Sequence, residues 1–294
     1  MRKNSKTRPA LLLSLSLAAV LLVGCQFHAS VGIGDFVTGE DYPRAASYQT
    51  GAFTYGADEV TAVEIYWHSG EVEIIESDED KLSVRESGGE LPEETAMHHL
   101  LEDGTLRIRF CESGARIRVD SNDKRLTVEV PRGIDLSVHT TSAPVRADTL
   151  EQNSLLISSH SGRTELGTVN ADRVDLSSSS GSIRAGSLVT QTLKGSSSSG
   201  SIRIDDLEAE TAELNTSSGG VELGLSAASQ VEIRTTSGST VLRLPEGGAA
   251  LSYTASSGKL RTAEPFERNG DLYVFGGGES RITVSSTSGS LEIQ

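Results

Sequence analysis

The sequence predicts an all-β fold: a parallel β-solenoid (β-helix-like) with coils of about 19 residues. Three observations predict it. Glycines preceded by serine recur at Gly162, Gly181, Gly200, Gly219 and Gly238, each 19 residues after the last. Apolar residues keep fixed places relative to those glycines. The residues between them are mostly Ser, Thr, Asp, Glu, Arg and Lys, so each unit reads as two half-buried strands rather than a helix.

The pattern extends in both directions. Ala143 takes the glycine's place one period earlier, Gly70 starts the pattern upstream, Gly258 follows Gly238 at 20 residues, and Gly289 comes after an insertion. In these nine units, the place seven before the glycine holds Val63, Leu136, Leu155, Val174, Leu193, Ala212, Val231, Leu251 and Ile282. The places five before, two after and four after are likewise mostly aliphatic. Matched columns at constant period imply that coils stack in parallel, like on like. At about 4.8 Å per coil, the units from Ala143 to Gly258 make a rod of roughly 34 Å. Inward positions are odd before the glycine and even after it, so the chain turns a corner there. A residue without Cβ accommodates the positive φ such a corner can need. Serine precedes the corner in every unit, and its hydroxyl is expected to satisfy corner backbone groups.

Ahead of the repeats, a basic start and an apolar run from Ala10 to Val23 lead to Leu22-Val23-Gly24-Cys25, the parts of a secretory leader at 1–24. The run is too short for a spanning helix, which needs roughly 20 residues. Leu-Val-Gly-Cys resembles the lipobox of bacterial lipoproteins, which implies a lipid on Cys25. Residues 25–58 read as a tether, and the domain proper as 59–294. Strands are expected at Val63–Trp67 and Val72–Ile74. An irregular acidic insertion follows at about 76–104, with one short helix over 92–101. Strands resume at Leu106–Phe110, Arg116–Val119 and Leu126–Val130. Late in the chain, Thr262–Ser280 breaks the rhythm with Phe266, Tyr273 and Phe275. It is expected to form a hairpin-like flap that packs against the last coils and protects that end of the stack, where the final coil stops at Gln294.

The leader holds four of the 26 basic residues and none of the 41 acidic ones, so its removal leaves a formal charge of −19. Nucleic acid is not an expected partner, because binding it rests on neutralising phosphates. With Cys25 lipidated, Cys111 is the one remaining thiol, so the fold stands on its core without a disulfide. Cys111 follows a strand and reads as a small buried hydrophobe.

From Lys124-Arg-Leu-Thr-Val-Glu-Val-Pro through units such as Leu176-Ser-Ser-Ser-Ser-Gly-Ser-Ile183 to Tyr273-Val-Phe-Gly-Gly-Gly-Glu-Ser-Arg-Ile, the chain resembles a bacterial β-strand-repeat family of unknown function, often labelled candidate adhesins. The likeness covers 60–294. It implies a solenoid on the cell envelope and supplies no catalytic residues. Ala143-Pro144 departs from the Ser-Gly pattern and marks an irregular first coil.

Three surface features could carry chemistry. Outward columns four and two before the glycine are rich in hydroxyls: Ser158 and His160, Ser177 and Ser179, Ser196 and Ser198, Asn215 and Ser217, continuing to Arg234, Thr236, Thr254, Ser285 and Thr287. Such a ribbon suits a glycan or a protein edge, and it is also what a solvated sheet looks like. Asp172, Asp175, Asp205 and Asp206 near Arg184 and Arg203 are the one hint of a carbohydrate-active enzyme on a β-helix. His139 with His160, and His98 with His99, lack the ligand set of a zinc site. No phosphate loop, dinucleotide fingerprint or nucleophile elbow occurs. Neither a catalytic residue nor a metal or cofactor is expected. The leading reading is a non-catalytic, extracytoplasmic lipoprotein. It is held on the bacterial cell membrane by its anchor, or on the outer membrane of a two-membrane host, since Gln26 after the cysteine permits either sorting outcome, and displays a solenoid for adhesion, structural spacing or partner binding to a glycan or envelope protein. A regulatory envelope protein acting through a membrane partner is the alternative. Cys25→Ala is expected to abolish incorporation of labelled fatty acid and to release the chain from the membrane fraction; equal label in both forms would refute lipidation.

Overall fold

The computed structural model describes residues 36–38, 40–118 and 124–294. The leader, Cys25 and the start of the tether lie outside them. Among the described residues no helix is long and apolar enough to cross a membrane.

The repeats become parallel coils in 19-residue register. Val145–Ser159, Thr164–Ser178, Ile183–Ser197, Ile202–Thr216 and Val221–Thr235 each form a run of 15 strand residues. Val145 pairs with Thr164, Thr164 with Ile183, Ile183 with Ile202, and Ile202 with Val221. The expected aliphatic columns face inward and are buried. Each coil nevertheless has three walls, not two. Alternation of buried residues breaks between Ala147 and Leu150 and again between Gln152 and Leu155, where the ladder skips Asp148 and Asn153. Each break is a corner. We call the strand before the glycine the first wall, the strand after it the second, and the run around Leu150 the third. Leu150, Val169, Leu188 and Leu207 form the third wall's core column and are buried.

The corner glycines differ from expectation. Among them only Gly70 has a positive φ, at 83°. The others are needed for close approach: a Cβ on Gly200 would stand 2.0 Å from the Gly181 carbonyl oxygen, and one on Gly219 1.9 Å from that of Gly200. Corner amides donate directly to the previous coil, Ser198 N–H to the Ser178 carbonyl and Ser199 N–H to that of Ser179. The backbone therefore satisfies itself, and the serines just before the glycine, such as Ser180 and Ser199, are exposed.

Layer order departs from chain order at both ends. The Gly70 coil (Ala62–Trp67 and Glu71–Glu76) lies between the Ala143 coil and a layer made of Thr105–Arg109 and Arg125–Val130. At the other end Ser280–Ser286 pairs with Val221–Thr235 on one side and Gly248–Ala255 on the other, while Leu291–Ile293 sits between Thr240–Arg243 and Leu260–Thr262. The last coil in sequence is thus one layer inside the stack. The insertion forms the hairpin Glu267–Asn269 and Leu272–Gly276, which protects this end as expected by pairing antiparallel with Gly248–Ala255, now the outer layer.

Two expectations for the N-terminal part are corrected. The helix over 92–101 is absent. Thr95 and Ala96 amides turn back to the Pro92 carbonyl, and His98–Glu102 forms a strand paired with Thr105–Arg109. Asp103 and Gly104 between them both have positive φ, 49° and 74°, the geometry of a two-residue hairpin turn. That turn, together with burial of Met97, His98 and His99, overrides helix propensity. The described part of the tether is also structured, because Phe53–Gly56 pairs with Lys81–Ser87 and Gln49–Thr50 with His98–Glu102.

Gly200→Ala is expected to cost at least about 2 kcal/mol, lowering the melting temperature by roughly 4–8 °C, because backbone on two layers must separate. Gly89→Ala, with nothing within 4 Å of the added Cβ, leaves it unchanged. Thermal melts of the two variants measure the difference.

Candidate binding face

The hydroxyl ranks stand on the outer surface of the first wall because strand alternation sends their neighbours inward. Val174 and Leu176 are buried, so Ser177 points out, and the two ranks flank a third that points in. That inner rank, Thr140, Ser159, Ser178, Ser197, Thr216 and Thr235, is buried at the corner. Thr140 Oγ1 donates to Ser159 Oγ at 3.0 Å and Thr216 Oγ1 to the Gly219 carbonyl at 2.7 Å, whereas the Ser178 and Ser197 hydroxyls have no partner.

Along this wall Ser158, Ser177, Ser196 and Asn215 are in direct register, followed by Arg234 and then Ser285. The surface dips into an open groove of about 620 Å3 lined by Ser196, Ser198, Asn215, Ser217, Arg234, Thr236, Thr254, Ser285 and Thr287, with residues of the inner rank between them. Of the eight residues singled out in sequence, Ser196, Ser198, Asn215 and Ser217 line the groove, and Ser158, His160, Ser177 and Ser179 continue the same face beyond it. The groove depends on the layer order, which sets Ser285 and Thr287 beside Arg234 and Thr236. Chain order alone does not reveal that neighbourhood.

Arg234, the one ionisable residue in the groove's lining, is held by two carboxylates beside it. Arg234 pairs with Glu213 at 3.1 Å and with Glu232, and Asn215 Nδ2 donates to the same Glu213 oxygen at 3.1 Å. The groove thus offers hydroxyl, amide and guanidinium donors, with the guanidinium already engaged by two carboxylates.

The other faces offer less. On the second wall the outward column forms ion pairs, Arg146 with Glu71 and Glu165, and Arg203 with Asp205 and Glu222. Such exposed pairs contribute about 0–1 kcal/mol each. Asp172 accepts from Gln191 on the third wall, and Asp205 belongs to the second, so the four aspartates do not converge. Among the described residues no cluster of three or more His, Cys, Asp or Glu could hold a metal. His139 and His160 stay apart: His139 stacks on Tyr66 at 4.9 Å, while His160 is exposed. Cys111 is buried, and burial pushes its thiol up to about 11, so it is protonated at neutral pH. At that end of the core Lys124 Nζ donates to the Thr95 and Phe110 carbonyls and meets Glu86, each at 2.6 Å. It lies 3.9 Å from the Phe110 ring centroid.

The Toastrack DUF4097 family model matches residues 60–294. The chain belongs to the Toastrack DUF4097 family. Among solved structures, the Toastrack domain is similar to a candidate adhesin from Bacteroides fragilis at 13% identity, covering 84% of this chain and 97% of that one, with a TM-score of 0.51. A candidate adhesin from Parabacteroides distasonis gives 12% identity, 83% and 97% coverage, and a TM-score of 0.50. At these identities the likeness establishes the fold. None of these proteins is named as an enzyme. No curated protein matches the chain.

His99 of the Toastrack domain stacks on Phe53 at 3.7 Å, and burial, helped by His98, pushes its imidazole down to about 4. Its folded-state value lies below that of the unfolded chain. Its contribution is therefore complete above about pH 6.5 and is lost as pH falls from there toward 4. The loss is at most about 3 kcal/mol. Melts across this window are expected to show a falling transition in the wild type and a flatter one in His99→Phe.

Proposed function

We propose that the chain is a non-catalytic envelope lipoprotein whose solenoid displays the hydroxyl face of its first wall to a neutral glycan. The observation that carries this reading is the groove: hydrogen-bonding side chains in register on consecutive coils, with the one guanidinium among them already paired. Donors repeated at the ladder spacing of about 4.8 Å suit an extended polyhydroxylated ligand contacting several coils at once. Internal pairing of Arg234 disfavours an acidic ligand, since the guanidinium would have to leave Glu213 and Glu232. The candidate adhesins among its structural neighbours support display over catalysis, and the lipobox supplies the attachment.

The test is a neutral and acidic glycan array probed with the exported chain, followed by titration of the best binder. The combined substitution Ser196→Ala, Asn215→Ala and Ser217→Ala is expected to reduce affinity about tenfold or more, on the basis of roughly 0.5–1.5 kcal/mol per hydrogen bond, with the melting temperature retained. Binding confined to acidic glycans, or unaffected by the triple substitution, overturns the proposal.

A further inference from the structure

Chain order and layer order disagree at the C-terminal end in a way that has a physical consequence. Corner glycines run Gly238, Gly258, Gly289 along the chain but Gly238, Gly289, Gly258 through the stack: a Cβ on Gly289 would meet the Gly238 carbonyl oxygen, and one on Gly258 that of Gly289. Residues 280–294 therefore fill a slot between two layers built from earlier parts of the chain. We infer that this last coil is exchangeable, and that the slot accepts residues 280–294 of a second copy of the chain.

Four features carry the inference. First, the inserted coil is one continuous segment, Ser280–Ser286 followed by Leu291–Ile293, so it moves as a single unit. Second, the slot has a paired strand on each side along both walls that the coil occupies. Ser280–Ser286 is held by in-register pairing to Val221–Thr235 and Gly248–Ala255, and Gln294 N–H reaches the Leu242 carbonyl at 2.9 Å. A coil from another copy would recover the same ladder and the same Val231, Ile282, Leu251 core contacts. Third, the two sides of the slot match each other. Val231 and Leu251 occupy the same column position, as do Ile233 and Tyr253, so the layers can close when the coil is out and no long apolar edge stays open. Fourth, the coil is joined to the hairpin by Gly276-Gly277-Gly278, where Gly276 and Gly278 have positive φ of 54° and 68°. Such a linker can change φ where a residue with a Cβ could not, at the cost of the Gly277 N–H bond to the Gly247 carbonyl. Since native and exchanged forms share their contacts, the balance depends on the hinge and on chain concentration, the general condition for domain swapping. The exchanged form joins two solenoids at their C-terminal ends. The inference stands on coil order alone and is independent of the glycan groove.

Cysteine pairing tests it. Glu232 and Thr283 are register partners, both half-buried on outward positions outside the groove. A chain carrying Glu232→Cys and Thr283→Cys together is expected to form an internal disulfide under mild oxidation, detected by peptide mapping; failure to do so overturns the coil order and the inference with it. Glu232→Cys and Thr283→Cys chains are then made separately, mixed in equal amounts, incubated and oxidised. Exchange predicts a covalent dimer linked through positions 232 and 283, increasing roughly in proportion to chain concentration. A mixture that yields only monomer, or dimers joined only through like positions, overturns exchange. Preoxidised double-cysteine chain added in place of the two single variants is expected to suppress dimer formation, because its own coil is locked in the slot.

Discussion

The rest of the structure depends on one contact: the approach of each corner glycine to the carbonyl of the corner in the neighbouring layer. From Gly162 to Gly238 an added Cβ would come within about 2 Å of that oxygen, too close for any neighbour made of backbone to yield without separating the layers. A shared corner fixes the register of everything attached to it. Once Gly181 sits on Gly162, Ile183 must sit on Thr164 and Ser177 on Ser158, and like falls on like along all three walls. The two exceptions are adjacent. Gly70, the one corner glycine with a left-handed backbone, stands in the stack beside Ala143, the one Ser-X corner that carries a Cβ.

A parallel stack pinned in this way leaves unpaired backbone at each end, the liability of every open sheet edge. The chain deals with both ends alike. It places an early or late coil one layer inward and finishes with antiparallel strands, Gln49–Thr50, Phe53–Gly56, Lys81–Ser87 and His98–Glu102 at one end and the Glu267–Gly276 hairpin at the other. The N-terminal core is closed by a polar plug as well. Lys124 is buried with its ammonium shared by two carbonyls and Glu86, while Glu86 also accepts from the Met97 amide at 2.7 Å. Burial lowers the Lys124 pKa, and the Glu86 carboxylate opposes that shift. Breaking a buried pair of this kind leaves an uncompensated charge, which is why such pairs are removed at greater cost than exposed ones.

Much of this was legible in the residues, and the gaps have identifiable causes. The four aliphatic columns beside each glycine gave themselves away by period. The third wall did not, because its core column is separated from the others by corners at residues such as Asp148 and Asn153, and because Gln152 and Thr190 occupy inward positions on it. The Asp103-Gly104 turn is a strong local hairpin signal, but the acidic stretch and Pro92 before it imitate the start of a helix. Layer order was illegible for a deeper reason. When columns are identical, Ile282 fits on Val231 as well as Leu251 does, and only the hairpin between them decides which coil goes inside.

That degeneracy also shapes what the exposed face can do. Coils equivalent in their core are nearly equivalent in their outward ranks, so Ser196, Ser177 and Ser158 offer similar groups at similar heights and no single coil constitutes a site. Specificity can enter only where equivalence is broken. On the first wall the break falls at the groove, where Asn215 and Arg234 replace serines and share Glu213, and where the inserted coil brings Ser285 and Thr287 alongside. A ligand lying along the wall would meet a uniform hydroxyl track leading to one distinctive patch. The uniform part contributes contacts that add along the length, and the patch fixes register. The placement of the C-terminal coil, which the repeats leave undetermined, is therefore also what determines the composition of the recognition surface.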